Sequence, residues 1–478
     1  MLLKFPPSVP DNQKRDLTSQ ILDWCLTNGV VFENSDKPGN GLNVPVTLFP
    51  TPFSRHGYKN AIELQVLYNS LYHAVFKHPE FVIEQLSQLK EDEFTMKLLS
   101  IYENCSKRRT QNLTGGVFRS DYIVDKSRNS GEEGRQIKQV EFNTVSVSFG
   151  ALSSKVTELH KFLAETAKTS VHGEVPVSKS LRDIAKGLAT MHSAYGCQQA
   201  ILLFVTQPNE TNVMDQRLLE YELYREYGII SVRATLEQIH RKTTIGEQNR
   251  LIFIPTGAEI SVVYYRAGYA PHEYATAADW TARERLEGSH AIQCPSIMTQ
   301  LIGTKKIQQV LTKPGVIEQL QPNLTNTEIE LIRKTFVGLW PLDETDLGKE
   351  GQKLAMQSPE KFVLKPQREG GGNNIYKKDI VKHLENIGHE NWSSYVLMEL
   401  IDPPKISNTI LRNGDLVTGR VVSELGVFGT VLWDTEANKE LMNNQAGFLL
   451  RTKTQKSNEG GIAAGFGCLD AVLLLSSR

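Results

Sequence analysis

Phe362-Val363-Leu364-Lys365-Pro366-Gln367-Arg368-Glu369-Gly370-Gly371-Gly372-Asn373-Asn374-Ile375-Tyr376 is the stretch on which the reading of this chain turns. Its first three residues read as the end of a buried strand, so the glycines hang from a rigid element. Consecutive glycines let backbone N–H groups approach an anion with no side chain in between. Lys365 supplies positive charge before them, and Glu369 supplies a carboxylate able to hold Mg²⁺. A mobile surface turn is the plain alternative for a glycine run. The flanking Lys365, Arg368 and Glu369 favour a nucleotide loop. Its spacing is not that of GxxxxGK[ST], and no helix is expected to open on it.

A chain of 478 residues exceeds what one core normally supports, so more than one substructure is expected. A hydrophobic content of 40% with 22% charged residues is that of a soluble globular protein. A net charge of −1 argues against a general nucleic-acid binder, which needs a basic surface. No apolar run approaches the ~20 residues that span a bilayer. Pro6 and Pro7 interrupt the N-terminus before a secretory apolar region could form. Cys25, Cys105, Cys197, Cys294 and Cys468 are odd in number and never in C-x-x-C spacing, which implies reduced thiols and no zinc site. These features place the chain in the cytoplasm, with no membrane partner and no nucleic acid.

The first ~110 residues carry apolar positions at helical spacing, as in Asp16 to Trp24 and Ala61 to Leu67. From Phe118 to Phe149 the pattern becomes that of strands, with a polar hairpin at Ser127 to Gly134. Between 200 and 304 strands alternate with helices, the order expected of a mostly parallel sheet. Strands are predicted at Ala200 to Val205, Ile229 to Val232, Leu251 to Ile254 and Ile260 to Tyr264. A helix is predicted from Asn209, its cap, to Tyr227. Further on come a helix at Thr327 to Val337 and strands at Tyr395 to Met398 and Leu416 to Val422.

Several segments have side chains suited to chemistry. In Val140 to Gly150 the alternation slips once, and a turn or bulge near Thr144 would keep Glu141, Asn143, Ser146 and Ser148 on one face. That face is either simply solvated or a hard-cation site with hydroxyls for a substrate. Tyr395 to Ile401 is an apolar strand bearing Glu399 near its end, before Pro403 and Pro404. It reads as a core strand end, or as a wall for an adenine. Arg451 and Lys453 precede a small-residue run, Gly460 to Gly465, and would become clamps in a site for phosphates and carboxylates. None of the eleven histidines has ligand spacing, and none is given a catalytic role.

The Val363 to Asn374 segment, Glu141 to Gly150, the Arg451 to Gly465 tail, Arg119-Ser120-Asp121-Tyr122 and Gly303-Thr304-Lys305-Lys306 occur together and in order. With these segments the chain closely resembles eukaryotic-type glutathione synthetases over nearly its whole length. The resemblance implies an α/β protein with a permuted ATP-grasp fold, an inserted parallel-sheet substrate domain and a helical N-terminal region. It divides the chain into 1–199, the helical region with part of the ATP-grasp body; 200–304, the substrate domain; and 305–478, the nucleotide-binding region. It implies a homodimeric ligase that joins γ-glutamylcysteine to glycine, using ATP and Mg²⁺.

Carried over residue by residue, the resemblance gives Glu141, Asn143 and Glu369 to Mg²⁺. It gives ATP the residues Glu141, Lys305, Lys365, Glu369, Gly370, Gly371, Gly372, Asn373, Asn374, Tyr376, Met398, Glu399, Leu400, Ile401, Glu424, Lys453 and Glu459. Peptide or glycine would meet Arg119, Val145, Ser146, Val147, Ser148, Asn212, Gln216, Arg266, Tyr269, Arg451, Ile462 and Ala463. Arg119 and Arg451 are the expected catalytic residues. Glu459 stands where the family pattern has a shorter aspartate, and the hairpin between Arg119 and Glu141 is slightly long.

Overall fold

A computed structural model describes residues 5–37, 39–108, 110–126, 136–166, 169, 171–368, 372–455, 457, 460–463 and 465–475. Glu369, Gly370, Gly371, Glu459 and the hairpin tip expected at Ser127 to Gly134 lie outside these.

Strand Leu113–Asp125 is the hub of the largest sheet. One side pairs antiparallel with the long strand Asp415–Asp434. The other side takes Ile292–Cys294 in parallel at its start and Gln136–Asn143 antiparallel along the rest. Beyond Ile292–Cys294 the sheet continues in parallel through Ala258–Tyr265, Ile201–Val205 and Ser231–Ala234. Ile201–Val205 is buried throughout and Ala258–Tyr265 from Ile260 onward, the pattern expected of parallel strands covered on both faces, while the edge strand Ser231–Ala234 is half-buried. The segment around Leu251 departs from the parallel expectation. Leu251–Phe253 pairs antiparallel with both Thr243–Ile245 and Ala258–Tyr265, as short hairpins at the sheet margin.

On the far side, Asp415–Asp434 pairs with Lys439–Thr454, which pairs with Gly467–Asp470. Gly467–Asp470 joins Val46–Thr47, which joins Ile406–Arg412, and that strand returns to Asp415–Asp434. The pairing thus closes on itself and takes one strand from the N-terminal region. A separate antiparallel sheet runs in the order Leu339–Pro341, Tyr395–Glu399, Phe362–Pro366, Ile375–Tyr376. Helices Asp346–Gln357 and Asp379–Ile387 accompany it, and Leu342, Ala355, Phe362, Leu364, Ile380, Leu384 and Leu397 form its own core.

Helices Asp11–Thr27, Arg55–Phe76, Pro79–Leu86 and Glu93–Ser106 make the N-terminal region mainly helical. Ser54 caps the second by accepting from the Gly57 N–H at 3.1 Å. Its buried stripe includes Ala61, Leu64, Tyr68, Leu71, Tyr72 and Val75. Tyr72 stacks on Phe142 with ring centroids 3.9 Å apart, and Phe118 meets the same ring edge-on at 5.5 Å. Phe142 is fully buried. Because side chains alternate along a strand, this anchoring turns Glu141 and Asn143 the other way, into a cleft.

The expected helix from Asn209 begins instead at Val213, with Asn212 at the cap position and no side-chain cap bond. Asn209 takes a left-handed conformation, φ 55°, in the turn before it. Asp215, in the first turn, serves a neighbouring helix. Its carboxylate accepts from Phe149, Ala151 and Leu152 N–H groups at 2.8, 2.9 and 3.2 Å, which caps helix Gly150–Glu165. The break expected near Thr144 is a turn: the strand stops at Asn143, and a separate register shift falls at the Asp121/Tyr122 pairing. Residues 144–149 are a loop, with Ser146 and Phe149 left-handed at φ 53° and 67°.

Candidate active site

A cleft of about 850 Å³ lies between the small antiparallel sheet and the large one. The floor comes from the strand-end and loop residues Glu141, Asn143, Val145, Ser146, Val147 and Ser148, all of which line it. Arg119, Glu424, Arg451 and Lys453 reach it from adjacent strands of the large sheet. Lys305, Lys365, Asn373, Asn374, Tyr376, Met398, Glu399, Leu400, Ile401, Tyr269, Ile462 and Ala463 complete the expected residues found there.

The small sheet presents an apolar wall. Val363 and Met398 are cross-strand partners packed with Tyr376, Leu400 and Ile401, on the face opposite the sheet's own core. Glu399 sits at the end of this wall, its Oε2 accepting from the Gly338 N–H at 3.3 Å.

Charge is concentrated where the two sheets meet. Lys305 Nζ lies 3.2 Å from Glu141 Oε2, and Lys365 Nζ lies 3.9 Å from the same oxygen. Lys365 also donates to the Val140 carbonyl at 2.9 Å. Burial works to raise the Glu141 pKa, but Lys305 and then Lys365 reverse this and hold it well below the usual carboxylate range. Glu141 is therefore ionised at neutral pH. Gly303 is needed for this arrangement, since a Cβ there would stand 2.2 Å from Thr144 Oγ1. Glycine allows helix Lys305–Leu311 to start against the Glu141 loop.

Beside this group, Asp121 is fully buried and accepts from several donors. Arg119 grips it through Nε at 2.7 Å and Nη2 at 2.8 Å. Arg451 Nη2 reaches it at 3.0 Å and also bonds Glu424. Asn143 Nδ2 donates to it at 3.1 Å. Burial works against the Arg451 charge, but Glu424 and Asp121 raise its pKa and keep it cationic. Burial raises Glu424, with Arg451 acting against that rise. A side chain at 426 would break the cluster, since a Cβ there would lie 2.7 Å from Asp121 Oδ1 and 2.8 Å from Arg119 Cδ. Sequence reasoning assigned no role to Asp121, although it follows Arg119 by two and so shares its strand face.

Asn212, Gln216 and Arg266 do not line the cleft but stand just behind the serine loop. Ser146 Oγ donates to the Arg266 carbonyl at 2.8 Å, and Arg266 Nη2 contacts Asp215 at 3.1 Å. Arg266 Nε and Nη1, Gln216 Oε1 and Asn212 Oδ1 are buried without a partner among the described residues. Buried polar atoms normally have partners, so this group has capacity for a polar ligand. Gly372 lies in an adjoining surface groove of about 490 Å³ that shares Asn374 and Tyr376 with the cleft.

The sequence matches the family described as eukaryotic glutathione synthase, ATP binding domain, over residues 11–474. It is 38% identical to the glutathione synthetase large chain of Schizosaccharomyces pombe, covering 97% of this chain and 98% of that one. It is 38% identical to the glutathione synthetase of Homo sapiens over 96% of each chain. For that of Dictyostelium discoideum the identity is 36%, over 97% of this chain and 100% of the relative. A solved glutathione synthetase-like effector of Globodera pallida has the same fold, with a TM-score of 0.76 at 22% identity and 98% coverage of both chains. The chain therefore belongs to the eukaryotic glutathione synthase family and carries its ATP-binding domain.

Proposed function

We propose that this ligase joins the cysteinyl carboxylate of γ-glutamylcysteine to the amine of glycine, converting ATP to ADP and phosphate. One observation carries the proposal. Lys305, Lys365, Arg368, Arg119 and Arg451 converge on one cleft from separate segments and outnumber the carboxylates that line it, Glu141, Glu399 and Glu424, even with the buried Asp121 counted beside them. That excess, with Lys453 beside it, suits a site where a triphosphate and a carboxylate must meet.

A carboxylate does not accept an amine directly, because oxide would have to leave. Its oxygen would attack the γ-phosphorus of ATP, the bond to ADP would break, and an acyl phosphate would form. The glycine nitrogen would then attack the acyl carbon and lose a proton, and phosphate would depart with the original carboxylate oxygen. The protein's part is positioning and charge neutralisation. Lys305, Lys365 and Lys453 would hold the phosphates, and the Val363, Met398 and Ile401 wall would take the base. Arg119 and Arg451 would orient the reacting carboxylate, with Ser146, Ser148 and the Arg266 group on the peptide. Ile462 and Ala463 would lie against the acceptor.

Mg²⁺ fits the residues present. Glu141 is ionised and faces the cleft, and the Asn143 nitrogen is committed to Asp121 and the Arg119 carbonyl, which leaves its oxygen to offer. Glu369 would be the third ligand. The bound ion would neutralise phosphate charge. On the family resemblance we further propose a cytoplasmic homodimer. The segments 1–199, 200–304 and 305–478 would then serve as body, substrate unit and nucleotide unit. Among the described residues no helix is long and apolar enough to cross a membrane.

Incubation with ATP, Mg²⁺, γ-glutamylcysteine and glycine should give glutathione by mass spectrometry, with phosphate release that needs both acceptor and donor. Phosphate release without either, or a product with another amine at higher rate, would sink the assignment.

A further inference from the structure

Gln367 and Arg368 follow the last strand residue, Pro366, and precede the glycines in sequence, and both are held from outside the small sheet. Gln367 Oε1 accepts from the Lys306 N–H at 2.9 Å. The Arg368 N–H donates to the Pro366 carbonyl at 2.8 Å, a tight turn that sets its direction. Arg368 Nη1 donates to the Gln367 carbonyl at 2.7 Å and to Asp92 Oδ2. Asp92 belongs to the N-terminal helical region and is only 4% exposed. Its second oxygen caps helix Glu93–Ser106, accepting from the Thr95 N–H at 3.0 Å. One buried carboxylate thus ties a helix N-terminus to the residue immediately before Glu369, by a charge-assisted bond at each oxygen. Nothing in the chemistry above uses Asp92.

We propose that Asp92 is a positioning residue for ATP: by holding the Arg368 guanidinium, it fixes the point from which the glycine segment starts. This rests on reading the cleft as a nucleotide site. Released from Asp92, Arg368 would be a long, freely rotating cation at the cleft wall. Ordering it and its backbone at each binding event costs conformational entropy. That cost falls on the nucleotide, because Arg119, Ser146 and Ser148 lie on the opposite sheet and its loop and have no bond to this pair.

Asp92→Asn separates the two bonds. Asparagine retains an oxygen for the cap and the same size, but loses the charge that holds Arg368. In the full-length protein, calorimetry with ATP and Mg²⁺ should show binding weakened about tenfold. KM for ATP should rise in parallel, with kcat and the KM for γ-glutamylcysteine unmoved. Arg368→Gln should reproduce the loss, and the double variant should bind ATP no more weakly than either single one. Unchanged ATP affinity, losses that add in the double variant, or all KM values rising together with a lower Tm would overturn the proposal. Should Asp92→Asn fail to fold, Arg368→Gln decides on the other two results: unchanged ATP affinity, or all KM values rising together with a lower Tm, would still overturn the proposal. Wild-type protein that binds ATP yet makes no glutathione would defeat the functional reading, while the binding comparison would still decide the role of Asp92.

Discussion

Strand Lys439–Thr454 shows two ways of burying a carboxylate, one on each face. Arg451 and Lys453 point into the cleft, where Arg451 meets Asp121 and Glu424. Thr452, between them, points the other way and donates to Asp470 at 2.6 Å. Asp470 also accepts from Thr47 Oγ1 at 2.6 Å and Thr51 Oγ1 at 2.5 Å. Asp121 and Asp470 are both fully buried. Asp121 is offset by two fixed guanidinium charges, whereas Asp470 is met by hydroxyl and N–H dipoles among the described residues. The first arrangement keeps charges ready for an incoming anion. The second joins Val46–Thr47, Gly467–Asp470 and Lys439–Thr454 where the ring of strands closes. Charge compensation marks the face proposed for chemistry, and dipole compensation marks the face that holds the sheet together.

The contrast is broken most severely by removing a charge from the cleft face. Arg119→Ala takes away one of the two cations proposed to face the reacting carboxylate, and turnover should fall roughly a hundred- to a thousand-fold. Glu369→Ala should produce a loss of the same order if it holds the metal as proposed, although Glu369 lies outside the described residues. Circular dichroism and Tm should stay close to wild type for Glu369→Ala. A wild-type kcat in either variant would remove that residue from the proposed machinery.

Asp121→Asn asks whether the arginines need their shared anion. The amide keeps the shape but leaves Arg119 and Arg451 side by side with Glu424 as the remaining carboxylate of the group. Removing one partner from a buried charged set costs about 3–5 kcal/mol, so chemical denaturation should show a loss of that order. Turnover should fall less than in Arg119→Ala, because both cations remain. A variant as stable as wild type would mean that Asp121 is not what holds the pair.

These residues were unequally legible in the sequence. Lys365, Glu141 and Arg451 stood out because each sits in a short run of unusual composition, and the cleft contains them all. Asp121 shares a strand face with Arg119, yet its importance comes from Arg451 and Asn143, more than three hundred and about twenty positions away. Spacing within one strand cannot supply that. The slip in Val140 to Gly150 correctly suggested that four polar side chains face one way. It also placed the break near Thr144, where the strand ends, but could not show Asp215, whose carboxylate accepts from the Phe149 N–H at the far end of the loop. Asn209 looked like a helix cap by residue type, and the turn before the helix claimed it instead. Local pattern located residues that meet in one cleft; contacts distant in sequence decided what holds them in place.

The mildest effect should come from the dipole-compensated face. Burial pushes Asp470 up from 3.8 to about 6, the Thr452, Thr47 and Thr51 hydroxyls opposing that rise only in part. A carboxyl raised in the folded state gives stability that is fully present below the unfolded pKa and is lost as pH climbs through the folded one. The window is therefore pH 3.8 to about 6, and the difference corresponds to about 3 kcal/mol at most. Asp470→Asn has no titrating group here, so the gap in Tm between wild type and variant should shift across that window, wild type losing ground as pH rises, and then level off. Turnover should change little, because Thr452 keeps its place on a strand already held by its neighbours. A gap in Tm that stays constant from pH 4 to 8 would show that Asp470 does not titrate in the folded protein, and the distinction between the two faces would then rest on geometry alone.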